Sequence, residues 1–308
     1  MNRSNDKPGG YLALCITCIV WGTTWAVSKI GVRYLPPFQM AALRQGIAGV
    51  VLVGYFAGYR KLPLPNFRQF IWIAGMALLM FVGANGLSTW SLKFIPVGLS
   101  ALISALYPLT VVLAERLFFG SRSINLLTLA GLLLGIGGVA IVFYENIFHH
   151  PGPGFFFGVS LSLAAMFSWS IGTMVIARRN ISLNPYQAIG WQMLTSSPML
   201  AAISLMREEP MPLNAIPVYG WLSVLYLVIA GSLISFAAFI YSMKTLPPAL
   251  FSLYAYINPI VAMITGAFIL DEKLTAYIFW GSVVTLTGVF LVNYSVRNRR
   301  PVNAGEID

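Results

Sequence analysis

Residues 21–52 read WGTTWAVSKIGVRYLPPFQMAALRQGIAGVVL, and residues 169–200 read WSIGTMVIARRNISLNPYQAIGWQMLTSSPML. At a constant offset of 148 the second stretch lies over the first: Trp21 meets Trp169, Pro37-Phe38-Gln39 meets Pro185-Tyr186-Gln187, Arg44 meets Gln192 and, further on, Gly83 meets Gly231. The offset becomes 151 where Lys93-Phe94-Ile95-Pro96 falls on Lys244-Thr245-Leu246-Pro247 and Tyr107-Pro108 on Asn258-Pro259. It settles at 150, where Gly131 meets Gly281 and Gly138-Val139 meets Gly288-Val289. The chain is a duplication. In an almost wholly apolar chain, duplication is a route to a membrane transporter, because two matching halves can enclose a path and rock against each other.

The composition supports the membrane. Of 308 residues, 58% are hydrophobic and 9% charged, against about 25% charged in soluble domains. About twenty apolar residues span a bilayer as a helix, so the length accommodates ten spans with short loops and no large soluble domain. The first apolar run begins near Tyr11 with no small-residue cleavage site behind it, and reads as a retained helix. A net charge of +10 is found in cationic nucleic-acid binders too. Here the charges are scattered through short loops, which points to membrane orientation and away from nucleic acid. Cys15 and Cys18 have C-x-x-C spacing, but no second pair or nearby His completes a metal or redox site. They read as small buried packing residues.

Apolar runs between turn-forming breaks predict spans near 11–33, 37–59, 68–91, 96–119 and 124–144, then 154–177, 185–206, 216–242, 247–270 and 274–295. The breaks include Pro36-Pro37, Pro63-Leu64-Pro65, Pro151-Gly152-Pro153-Gly154, Asn184-Pro185 and Pro210-Met211-Pro212. Lys and Arg favour cytoplasmic loops. Alternate sides collect thirteen (Arg3, Lys7, Arg60, Lys61, Arg68, Arg116, Arg122, Arg178, Arg179, Lys244, Arg297, Arg299 and Arg300) against five, with Arg44 left inside a span. Both termini are therefore expected in the cytoplasm. Five spans per repeat is an odd number, so the second copy enters the membrane from the opposite face. The expectation is an all-α membrane protein of ten transmembrane helices in two inverted five-helix repeats, 11–147 and 154–295, between tails at 1–10 and 296–308.

Trp21-Gly22-Thr23-Thr24-Trp25, Ala42-Leu43-Arg44 followed by Ala48-Gly49, Tyr254-Ala255-Tyr256-Ile257-Asn258-Pro259, and Asp271-Glu272-Lys273-Leu274 resemble the EamA-type drug/metabolite transporters. The resemblance covers nearly the whole chain, duplication included. It implies a ten-helix carrier with a central cavity, commonly an exporter of amino acids, metabolites or toxic compounds. No cofactor is expected. One departure is plain. Where the first repeat of that family has a Gly-Glu-Arg/Lys-Leu turn after its fourth helix, this chain has Gly120-Ser121-Arg122-Ser123.

Several residues are candidates for a solute site. Pro108 and Pro259 sit twelve residues beyond Pro96 and Pro247, about 18 Å down a helix and near the midplane. An interior proline frees a carbonyl one turn back and kinks the helix; the bend serves either packing alone or a hinge lining a cavity, and its recurrence in both copies favours the second. Arg44 lies about 10 Å inside its span, where a guanidinium costs several kcal/mol and faces protein or water. It either pairs with scaffold carbonyls or meets a substrate carboxylate; its counterpart Gln192 is neutral. Trp21 and Trp169 match across the repeats and either wall the cavity or act as interfacial anchors, the commoner role of tryptophan in membranes. Asn85, Ser88, Tyr107, Ser235, Tyr254, Tyr256 and Asn258 are polar groups in apolar spans that need partners, either a small polar or aromatic solute or a neighbouring helix. Lys29 either snorkels or meets an anion. Gly131-x-x-x-Gly135 with Gly137-Gly138 permits close backbone approach, of the tenth helix or of a second copy in a homodimer.

Catalysis finds little support. His149 and His150 share one loop away from any helical Ser, and there is no H-E-x-x-H, paired intramembrane aspartate or P-loop. The expected partners are a small-molecule substrate and membrane lipid. A passive channel or a scaffold stays open as the alternative to a carrier.

Overall fold

The computed structural model describes residues 7–119, 125–148, 152–178, 183–207 and 209–297. Gly120-Ser121-Arg122-Ser123 and His149-His150 lie outside the described residues, as do both tails beyond 7 and 297. The described chain forms ten long helical runs and one 3-10 turn at Leu213–Ala215. The first five are Lys7–Gly31, 37–59, 67–91, 97–119 and Leu126–Phe148; the second five are Phe155–Arg178, Pro185–Arg207, 218–245, 248–270 and Ala276–Arg297. Eight are long and apolar enough to cross a membrane by themselves. The seventh carries Gln187, Gln192, Ser196 and Ser197, and the ninth is broken at Ser252-Leu253, which accounts for the other two.

Local chemistry sets the helix starts. Asn66 and Gln69 form a reciprocal capping box on the third helix, and Asn125 accepts from the Thr128 N–H at 2.7 Å on the fifth. Pro37 and Pro185 open the second and seventh helices at positions where a missing N–H costs nothing. The ninth helix ends on Asp271 in the left-handed conformation at φ 56°. The helices are not uniformly α. The third runs as π-helix over Ala77–Gly86 and the eighth over Leu227–Ile234, equivalent positions in the two repeats. Sequence periodicity does not anticipate this widening, although Gly83 and Gly231 mark it.

The pseudo-twofold relation is visible in exchanged contacts. Gln39 of the first repeat brackets Met211 of the second, donating to its carbonyl at 2.6 Å and accepting from its N–H at 2.9 Å. Gln187, its counterpart 148 residues on, donates to the carbonyl of Pro63, the counterpart of Met211, at 2.8 Å. The fifth and tenth helices cross on glycine in the same reciprocal way. A Cβ on Gly131 would stand 2.7 Å from the Gly288 carbonyl oxygen, and one on Gly281 would stand 2.7 Å from that of Gly138. The Gly131 motif is thus consumed within the chain. Outside, Leu133, Ile136, Phe268 and Phe290 are exposed, the apolar exterior that lipid requires of a spanning bundle. Of the two cysteines, Cys18 is buried as expected but Cys15 is exposed; both are free.

Candidate functional site

Between the repeats lies a cavity of about 190 Å³. Its wall draws on the first helix (Trp21, Thr24, Trp25, Ser28), the third (Phe81, Asn85, Ser88), the fourth (Ser104, Tyr107), the sixth (Met166, Trp169), the eighth (Phe236) and the ninth (Tyr254, Asn258, Pro259), with Arg44 entering from the second.

Arg44 is 6% exposed. Its Nε donates to the Ser232 hydroxyl at 3.0 Å and its Nη2 to the Gly231 carbonyl at 3.2 Å, both in the π segment of the eighth helix. The same carbonyl accepts from the Trp21 indole N–H at 3.2 Å. A widened turn leaves backbone carbonyls short of helical donors, and here the first repeat supplies them. The approach depends on glycine: a Cβ at Gly231 would lie 2.7 Å from Thr24 Cγ2 and 3.2 Å from Arg44 Nη2. Among the described residues Arg44 has no carboxylate partner.

Asn258 accepts from the Trp25 indole N–H at 3.0 Å. Because an indole only donates, this bond fixes the amide with its oxygen on Trp25 and its NH₂ free. Asn85 accepts from Gln45 Nε2 at 3.1 Å. Tyr107 and Tyr254, from the fourth and ninth helices, share a hydroxyl–hydroxyl bond of 2.9 Å at the cavity edge. Trp21 packs on Phe236 and Phe239 with ring centroids 5.2 and 4.9 Å away. Ser104 and Ala255, the residues four before Pro108 and Pro259 whose carbonyls those prolines leave short of a donor, both line the wall.

Four of the expected site residues face elsewhere. Ser235 turns its hydroxyl back to the Ala230 carbonyl at 2.8 Å, spanning the π widening. Tyr256 faces the tenth helix, where Asn293 donates to its hydroxyl. Gln192 is buried in the seventh helix, and Pro108 is buried beside the cavity without forming its wall. Conversely, Thr24, Trp25, Ser28, Phe81 and Phe236 line the wall without having been singled out. In an apolar chain an aromatic residue carries no contrast, so only the repeat match raised Trp21 and Trp169 above the others.

The two ends of the crossing between the fourth and ninth helices differ. At one end the Val97 N–H, first of the fourth helix, donates to both oxygens of Glu272, at 2.9 and 3.0 Å. A carboxylate on a helix N-terminus is favourable for both hydrogen bonding and dipole. Beside it Lys29 Nζ donates to the Ile95 carbonyl at 2.8 Å, which ties the half-buried ammonium to the chain. At the other end the counterpart of Val97 is Pro248, which has no N–H, and that of Glu272 is Ser121, outside the described residues. Among the described residues no cluster of His, Cys, Asp or Glu is arranged to hold a metal.

The profile of the EamA-like transporter family matches this chain twice, over residues 8–144 and 156–294. The chain is 31% identical over 283 residues to the uncharacterized inner membrane transporter YedA of Escherichia coli, covering 91% of this chain and 89% of that one. It is 24% identical over 309 residues to a probable amino-acid metabolite efflux pump of Escherichia coli, covering 97% and 99%. A solved crystal structure covering 96% of this chain and 99% of its own superposes with a TM-score of 0.63 at 18% identity, and so shares the fold. Two matched repeats, ten helices and these relatives agree: the chain belongs to the EamA-like transporter family and is a multi-pass membrane transporter.

Proposed function

We propose that the protein is a secondary transporter of the inner membrane that exports small organic solutes by alternating access, the repeats 11–147 and 154–295 rocking about the cavity between them. The cavity carries this reading. It draws wall residues from both repeats, sits where the fourth helix is interrupted at Leu106 and the ninth carries Pro259, and combines aromatic surface with a few polar groups, as small-molecule sites do. Its volume, about 190 Å³, is below the roughly 300–1,000 Å³ of drug-sized pockets, so the cargo is small. The basic-residue asymmetry between loops supports cytoplasmic termini. The name of the efflux-pump relative supports the outward direction.

Trp21, Trp169 and Tyr254 wall the solute, Arg44, Asn85 and Asn258 bind its polar groups, and Pro108 and Pro259 act as hinges. Gln192, Ser235 and Tyr256 shape the second shell of helices behind them. Among the described residues lining the cavity none is Asp, Glu or His, the groups that relay protons in coupled carriers. The solute's own electrochemical gradient then drives transport. Purified protein in proteoliposomes should show saturable uptake and counterflow across a panel of amino acids, nucleosides and aromatic compounds. Linear, unsaturable flux would make it a channel, and no flux at all would make it a scaffold.

A further inference from the structure

Resting on that reading, we infer that the cavity selects an organic anion, a carboxylate on an apolar or aromatic body, and that its export is driven by the membrane potential. The charge arithmetic begins at Arg44. A guanidinium has five N–H donors, and two of them are spent on neutral acceptors, Ser232 and Gly231. The other donors have no acceptor among the described residues, and the cavity wall offers no carboxylate. A buried cation without an anion is costly, and a planar carboxylate meeting it side-on recovers that cost with paired, charge-assisted bonds.

The neighbouring polar groups point the same way. The acceptor of Asn258 is taken by Trp25, leaving its NH₂ as the free function. The Trp169 indole N–H, on the wall, has no acceptor among the described residues. The free functions of Arg44, Asn258 and Trp169 are donors and suit an anion, while the acceptors on the same wall are the neutral carbonyls of Ser104 and Ala255. The rings of Trp21, Phe81 and Phe236 supply the apolar surface for the rest of the solute.

With no titratable carboxylate or imidazole on the described wall to carry a compensating proton, each turnover moves one negative charge outward. An inside-negative potential favours that step. The expected gain in accumulation ratio is about fifty-fold per 100 mV, the equivalent of about 2.3 kcal/mol per charge.

The full-length protein in proteoliposomes, tested with three probes of one shape, decides the matter: 3-phenylpropionate, its neutral amide, and the corresponding amine, each corrected by protein-free vesicles. The carboxylate should exchange at least ten-fold faster than the amide, and the amine not at all. A potassium–valinomycin potential, negative on the carboxylate side, should accelerate carboxylate efflux and leave the amide unchanged. Arg44→Gln should reduce the carboxylate to the amide's rate, and Arg44→Lys should restore part of the preference. If Arg44→Gln fails to fold, the wild-type series and the potential response still decide. Equal rates for carboxylate and amide, carboxylate flux indifferent to potential, or failure to carry the carboxylate while other solutes pass would each overturn this inference and leave the carrier reading standing. Absence of flux for every solute would overturn both.

Discussion

Two corners of the cavity that the duplication makes equivalent have diverged. In one, Trp21 and Arg44 both donate to the Gly231 carbonyl in the π segment of the eighth helix. In the other, the close approach to the π segment at Gly83 is made by Ser168, whose hydroxyl donates to the Leu79 carbonyl at 2.8 Å, while the counterpart Trp169 lines the cavity and the counterpart Gln192 is buried in the seventh helix. The backbone device is shared and the charge is not. Features kept in both copies, such as the Gln39 and Gln187 clamps and the crossing glycines, build the scaffold. The chemistry collects where the copies disagree.

This contrast can be broken experimentally. Arg44→Ala should abolish transport, a loss of at least a hundred-fold or about 2.7 kcal/mol, while Gln192→Ala costs no more than a few-fold; equal losses would erase the distinction between the corners. Gln192→Arg places a guanidinium where no counterpart of Ser232 accepts from it, since that position is Ala84. It should lower thermal stability by several kcal/mol, the cost of an uncompensated buried charge, read as a drop in melting temperature in detergent. Asn258→Ala strands the Trp25 N–H and should cost about 1–3 kcal/mol of stability together with a clear fall in transport rate. A smaller difference is expected between the two ends of the helix crossing. Glu272→Ala removes the carboxylate from the Val97 N–H and should cost about 1 kcal/mol, whereas Ser121→Ala, at the sequence counterpart of Glu272 where no carboxylate is lost, should leave stability unchanged.

Much of this architecture is legible in the residues. Proline and asparagine breaks delimit the runs, and the helix ends fall within a few residues of them. The inverted relation follows from parity alone. Arg44, Asn85 and Asn258 stand out because polar groups in apolar spans are expensive, and all three reach the cavity. What the residues do not disclose is facing. Ser235 and Tyr256 are polar too, yet each finds a neighbour within the helical scaffold. A π segment adds residues to each turn, so every side chain after it faces a direction that an α-helical count misassigns. That is why Ser235, the first residue beyond the eighth helix's widening, turns away while Phe236 looks inward.

The glycine crossing of the fifth and tenth helices has a further consequence. With Gly131, Gly138, Gly281 and Gly288 backed against one another, the surface most suited to tight helix pairing is already occupied. The two helices, welded backbone to backbone across the seam between the halves, form a strut whose ends cannot slide without first prising that seam apart.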